Sequence, residues 1–324
     1  MKAAVLYKPG GPENFMIEER AMPVPVGDWV RIKVMAFGLN RSELMTRKGY
    51  SPGVKLPRVL GIECVGIVDN DPEGILRPGD KVAAFMGGMG RDFDGSYAEY
   101  TLVPRQLLYP FESHLSWEIL GALPEMFQTV YGSLHTSLQI QQGETLLIRG
   151  GTSSIGMLAT QLAKNYGLTV IATTRSRENG TVLLNNGADH VLVDDEFMAR
   201  QVKALYPEGV DKVLELVGTV TLADSLRCAK AGGKVCMTGM LAEQWAIKDF
   251  APMEYIPAGV FLTVYDSGQL QVCRLAFQQF IKEVEQGQVR ISIGGTFQLA
   301  DITAAHQLMD SNAAKGKIVV LTNG

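Results

Sequence analysis

A chain of 324 residues with 46% hydrophobic content exceeds what one hydrophobic core usually serves, so two globular domains are expected. Its formal net charge of −4 offers no basic footprint for a phosphate backbone, which argues against nucleic acid as a partner. No apolar run suits a signal peptide or a membrane span, so a soluble, cytoplasmic protein with no membrane partner is expected.

Residues 1 to about 120 carry short β-type runs, such as Val30 to Val34 and Val65 to Val68, between Gly, Pro and Asp turns. They predict a compact, mostly β domain. Near residue 144 the rhythm changes to apolar strand, glycine turn and 3.6-period helix, repeated until about residue 240, the pattern of βαβ units on a parallel sheet. Strands are predicted at Thr145–Ile148, Thr169–Thr173, His190–Val193, Lys212–Leu216 and Lys234–Thr238, with helices at Ile155–Tyr166 and ending over Val182–Asn186, capped by Gly187. A sixth strand, Val260–Tyr265, is predicted at the sheet's end, where a bare apolar edge invites pairing into a homodimer. Leu270–Glu285 reads as an amphipathic helix, after which the chain is expected to return to the first domain. The predicted division is 1–120 with 267–324, and 121–266.

Cys64, Cys228, Cys236 and Cys273 form no Cys-x-x-Cys pair, and core packing is expected for them. His114, His135, His190 and His306 lack the spacing that would set two imidazoles on one metal, so no metal site is expected.

The strongest chemical signal is the first strand-to-helix turn, Gly150-Gly151-Thr152-Ser153-Ser154-Ile155-Gly156. A pyrophosphate needs backbone N–H groups that can approach closely and a helix N-terminus whose dipole favours anions. Gly151 and Gly156 hold the outer places of a G-x-G-x-x-G frame, with Ser153 in the middle, where its hydroxyl is a candidate donor to a cofactor phosphate. The second strand ends in Thr173-Thr174-Arg175-Ser176-Arg177, with no carboxylate to accept bonds from free ribose hydroxyls. A guanidinium with neighbouring hydroxyls suits a 2′-phosphate, which selects NADPH and makes Thr174, Arg175 and Ser176 candidate cofactor contacts.

Across nearly its whole length the chain resembles the medium-chain dehydrogenase/reductase superfamily, in particular its zinc-free, zeta-crystallin-like quinone oxidoreductase branch. The resemblance rests on Gly10-Gly11-Pro12-Glu13, Gly38-Leu39-Asn40, Leu56 to Glu63, Pro78-Gly79-Asp80-Lys81-Val82, Gly95 to Tyr100, Thr129-Val130-Tyr131-Gly132, Gly187-Ala188-Asp189-His190 and Gly316 to Val320. It implies an α/β protein in which a GroES-like, mostly β catalytic domain joins a Rossmann doubly wound parallel sheet. It also implies that Asn40, Ile62 and Glu125 stand where zinc-dependent relatives carry Cys, His and usually Cys; at Glu63 and Glu125 ordinary ion pairs are expected rather than a bound cation. Without thiolate and imidazole ligands a tetrahedral zinc site has little support. Quinones and α,β-unsaturated carbonyls are the fitting acceptors, since the phenolate or enolate formed spreads its charge onto oxygen and needs only hydrogen-bond donors.

By resemblance Asn40 lies near the nicotinamide ribose and substrate, Tyr50 at the mouth of the substrate site as hydrogen-bond or proton donor, and Thr129 beside the cofactor. Val217-Gly218 and Met240-Leu241, after the fourth and fifth strands of the parallel sheet, are expected to wall the cofactor, where open α/β sheets place ligands. Relatives often carry Lys after the second strand and Tyr after the third. Asn179 and Asp194 stand near those places here, so the adenine side is expected to be held differently. Two other functions suit the same residues: an enoyl-thioester reductase, with Arg41, Arg47, Lys48 and Arg58 as a basic lip, and a non-catalytic NADPH-binding sensor.

Overall fold

The run Trp29–Gly38 buries Val30, Ile32 and Val34 on alternate positions, the period-2 pattern of a strand with one face on a core. The computed structural model describes residues 1–51, 53–195, 197–268 and 272–322, and the chain divides into two units, Met1–Phe127 with Val272–Gly324, and Gln128–Gln271.

The first unit opens with strands β1 (Lys2–Leu6), β2 (Phe15–Glu19), β3 (Trp29–Gly38), helix α1 (Arg41–Arg47), β4 (Arg58–Val59), β5 (Glu63–Asn70), β6 (Lys81–Phe85), β7 (Tyr100–Pro104) and β8 (Leu108–Pro110). Helices α2 (Trp117–Leu120) and α3 (Pro124–Tyr131) follow. In the second unit β9 (Thr145–Arg149), α4 (Ser154–Asn165), β10 (Thr169–Thr174), α5 (Gly180–Asn185), β11 (His190–Val193), α6 (Met198–Leu205), β12 (Val210–Glu215), α7 (Thr219–Cys228) and β13 (Ala229–Met237) alternate, before α8 (Pro252–Tyr255) and β14 (Phe261–Val264). The chain then re-enters the first unit with α9 (Arg274–Glu285), β15 (Ile293–Gln298), α10 (Ile302–Asp310) and β16 (Lys317–Leu321).

In the first unit β16 pairs antiparallel with β3, setting Val320 opposite Phe37, so the C-terminal segment completes the sheet begun by the N-terminal one. Its core gathers Ile32, Val34, Phe37, Leu60, Tyr97 and Val320.

Among the described residues the second unit's sheet is parallel throughout, in the order β11-β10-β9-β12-β13-β14. All five residues of β9 are buried, as a central strand covered on both faces requires. The expected doubly wound sheet is therefore present, with the order reversing beside β9. Gly187 closes α5 at φ +106°, its N–H donating to Leu184 while that of Ala188 reaches Leu183, a Schellman ending.

Two expectations need correction. Cys64, Cys228 and Cys236 are buried, but Cys273 is exposed at the N-cap of α9, so core packing does not account for it. The helix expected from Leu270 begins at Arg274; Leu270 itself lies outside the described residues. No helix among the described residues is long and apolar enough to cross a membrane.

Candidate active site

The glycine turn after β9 is built by close backbone contacts. Gly150 takes φ +89°, a region open to glycine, and its N–H donates to the Thr173 hydroxyl at 3.1 Å while that of Gly151 donates to the Thr173 carbonyl at 3.0 Å. A Cβ on Gly156 would lie 2.5 Å from the Gly150 carbonyl oxygen, so only glycine permits this crossing of helix over strand. The Ser153 hydroxyl accepts from the Gly156 N–H at 3.0 Å and donates to the Gly150 carbonyl at 2.8 Å. It thus serves as the N-cap of α4, and its proton is committed to the turn rather than to an anion. The first-turn amides of Ser154 and Ile155, with Thr152 exposed beside them, form an anion cradle of the kind that helix N-termini supply.

At the end of β10 the buried Thr174 hydroxyl donates to the Ser176 carbonyl at 3.0 Å and accepts from its N–H at 3.2 Å. This tight turn leaves Arg175 exposed, and the Ser176 hydroxyl accepts from Glu178 N–H. Past β12 the buried carboxylate of Glu215 accepts from the amides of Val217 at 2.6 Å and Gly218 at 3.0 Å, which fixes that turn with Gly218 at φ +115°. Burial raises the Glu215 pKa. The space above Gly150 is closed by the side chains of Leu241 and Val217, and that above Gly218 by the Met240 sulfur. Thr129 is half-buried on α3, and further along the same segment Ser133 bonds Thr238 beyond β13 at 2.9 Å. Gly150, Val217, Gly218, Met240 and Leu241 are therefore brought together at the carboxyl ends of the central strands.

In the other unit Asn40 occupies the N-cap position of α1 but makes no capping bond. Its amide instead donates to Glu63 Oε1 at 2.8 Å and accepts from Lys317 Nζ. Lys317 Nζ also lies 2.8 Å from Glu63 Oε1, and the second Glu63 oxygen accepts from the Glu125 N–H at 2.8 Å. The expectation of an ordinary ion pair at Glu63 holds, with Lys317 as its partner. A Cβ on Gly38 would sit 2.3 Å from the Lys317 chain and 2.6 Å from Glu63, which explains the glycine two residues before Asn40. Glu43 is fully buried and accepts from Ile62 N–H at 3.1 Å, while its Oε2 has no partner among the described residues. Burial, then the neighbouring Glu63, pushes its pKa up to about 7. Ile62 packs as a buried apolar side chain. Tyr50 stands 64% exposed in the turn after α1. Among the described residues no group of three His, Cys, Asp or Glu side chains converges as a metal ligand set.

Sequence reasoning missed Lys317, Glu43, Arg149 and Glu215. A lysine opening the apolar strand at Lys317 and an arginine closing the buried strand at Arg149 were the available signals.

Comparison with known proteins places two family matches on these units. Residues 27–113 match the alcohol dehydrogenase GroES-like domain, and residues 154–270 match the family described as zinc-binding dehydrogenase. The human quinone oxidoreductase is 28% identical over 329 residues, spanning 99% of this chain and 98% of that protein. Among solved structures, an NAD-dependent alcohol dehydrogenase shares 25% identity at a TM-score of 0.88, covering 100% of both chains. A mycobacterial protein solved with NADPH shares 25% identity at a TM-score of 0.87, covering 99% of this chain and 100% of its own.

Proposed function

Because the chain belongs to the medium-chain dehydrogenase/reductase superfamily, we propose that it is an NADPH-dependent reductase that transfers hydride to quinones or other conjugated carbonyls without zinc. The observation that carries this is the glycine turn before α4 together with Arg175, rather than a carboxylate, just beyond β10. The close crossing of helix over strand that a dinucleotide-binding turn requires supports the cofactor, since a Cβ on Gly156 would lie 2.5 Å from the Gly150 carbonyl oxygen. In this reading residues 1–120 and 267–324 form the catalytic domain and 121–266 the NADPH-binding domain.

Gly151, Thr152, Ser154 and Ile155 would hold the pyrophosphate on the turn that Ser153 caps, Thr174, Arg175 and Ser176 the 2′-phosphate, and Thr129, Val217, Gly218, Met240 and Leu241 the nicotinamide half. When bound there, the cofactor supplies the hydride. Asn40 positions the nicotinamide ribose and substrate, and Lys317 and Glu63 hold its amide in one orientation. Tyr50, exposed and able to donate, gives a hydrogen bond or proton to the oxygen on which negative charge develops. The zinc-free chemistry is supported by the residues themselves: Asn40 and Ile62 offer an amide and an alkyl chain, and neither supplies the thiolate or imidazole of a tetrahedral site. The human relative's name supports quinones as acceptors. A cytoplasmic homodimer is part of the proposal, with β14 as the pairing edge because it ends the sheet and leaves Phe261 and Val264 exposed.

The test is oxidation of NADPH and of NADH by the purified protein with a panel of quinones, enals and enones. Turnover favouring NADPH supports the proposal. Tight NADPH binding with no acceptor reduced would replace it with a sensor role.

A further inference from the structure

Arg149 is the last residue of β9, directly before Gly150, and its guanidinium is 2% exposed. Its Nε and Nη2 fork onto both oxygens of Asp194 at 2.9 and 2.6 Å. The remaining nitrogen, Nη1, reaches Asp224 at 2.9 Å, Ser225 at 3.2 Å and the Thr221 carbonyl at 3.1 Å. Asp194 and Asp224 therefore bond this guanidinium directly, while Glu215 reaches it through the Ser225 hydroxyl and through space, and Asp224 and Glu215 also have backbone donors. Asp224 accepts from the amides of Met198 and Ala199 at the start of α6, and Glu215 accepts from Val217, Gly218 and the Ser225 hydroxyl. The Asp194 carboxylate instead accepts from Arg149 and, at 3.4 Å, from the Thr173 hydroxyl.

Asp194 follows β11 and stands beside the proposed 2′-phosphate turn: its N–H donates to the Thr174 carbonyl at 2.7 Å, one residue before Arg175. We propose that Arg149 is a positioning residue that sets dinucleotide preference, by holding Asp194 in its fork and so masking a carboxylate that would otherwise oppose an anion at Thr174-Arg175-Ser176. A bidentate guanidinium both neutralises the carboxylate and fixes its direction away from solvent. Released from that fork, the carboxylate would repel a 2′-phosphate and accept bonds from the free ribose hydroxyls of NADH, as acidic residues near this point of the fold do. The inference rests on the reading of Arg175 as a 2′-phosphate contact.

The experiment is titration of NADPH and NADH into the full chain, following nicotinamide fluorescence, for wild type, Arg149→Met, Asp194→Asn and the double variant. The wild-type ratio of the two dissociation constants judges the Arg175 reading by itself. The change in that ratio judges Arg149. Arg149→Met should lower the preference for NADPH by about tenfold, the size expected of one uncompensated charge several ångströms away, and Asp194→Asn in that background should restore it. Equal losses for both dinucleotides, or no restoration, would overturn the proposal and leave Arg149 a purely structural ion pair. Should Arg149→Met fail to fold, Asp194→Asn alone decides: because the carboxylate is already masked and Arg149 keeps Asp224, the preference for NADPH should stay as in wild type, and a clear rise would show Asp194 to be unmasked and overturn the proposal.

Discussion

The ammonium of Lys317 lies 2.8 Å from the carboxylate of Glu63, with the two side chains 3% and 0% exposed, at the point where the last strand of the chain is laid against β3. Breaking a buried pair from one side leaves a charge with no compensation. Lys317→Met should therefore destabilise the protein by about 3–5 kcal/mol, read from the urea midpoint. Lys317→Met with Glu63→Gln should recover most of the loss, and additive losses would mean that the pair is not coupled.

Tyr50 stands exposed, so its phenol can be removed without disturbing a core. Tyr50→Phe should leave the urea midpoint and the NADPH dissociation constant unchanged while lowering kcat by roughly 10²-fold, the scale of a lost general acid. An unchanged kcat would remove Tyr50 from the reaction.

Ser153 and Gly156 separate capping from cofactor contact. Ser153→Ala should cost about 1 kcal/mol of stability and Ser153→Gly only a few tenths, with NADPH affinity held in both, because the hydroxyl is used within the turn. A clear loss of affinity in Ser153→Gly would restore the hydroxyl as a phosphate donor. Gly156→Ala should abolish NADPH binding, since the added methyl meets Gly150 and Gly151 backbone at 2.5–2.8 Å.

Two buried groups bend the pH dependence of stability in opposite directions. Glu43 titrates near 7 in the folded chain against an ordinary 4.5, so its contribution is present below about pH 4.5 and is lost as pH rises through 7. Glu43→Gln, which keeps the acceptor for Ile62 N–H, should raise stability above pH 7 relative to wild type. His306, 3.0 Å from the Tyr97 hydroxyl, is held to about 3 by burial against an ordinary 6.5. Its contribution is present above pH 6.5 and is lost as pH falls toward 3, at up to about 1.4 kcal/mol per pH unit. His306→Gln should flatten that acid limb in denaturant titrations at stepped pH, and an unaltered slope would place the acid sensitivity elsewhere.

Much of the parallel sheet was legible because strands covered on both faces read as continuous apolar runs: Thr145–Ile148 falls one residue short of β9, and the half-buried edge run His190–Val193 matches its observed bounds. The residue by which the first falls short is Arg149. Periodicity assigns a charged residue to a strand's exterior, whereas here three carboxylates from separate elements make its burial tolerable. Glu43 escaped for the same reason, as an acidic residue in the first turn of a helix normally reads as solvated.

The glycine turn, the basic turn after β10 and the altered residues at Asn40 and Ile62 are local patterns, set by φ requirements and by side-chain chemistry that a linear sequence displays directly. The partnership of Lys317 with Asn40 and Glu63, 277 and 254 residues away, and the fork of Arg149 on Asp194 are not of that kind. Coulombic pairing in a buried site depends on which strand ends are brought side by side, and only the register of the folded sheets decides that.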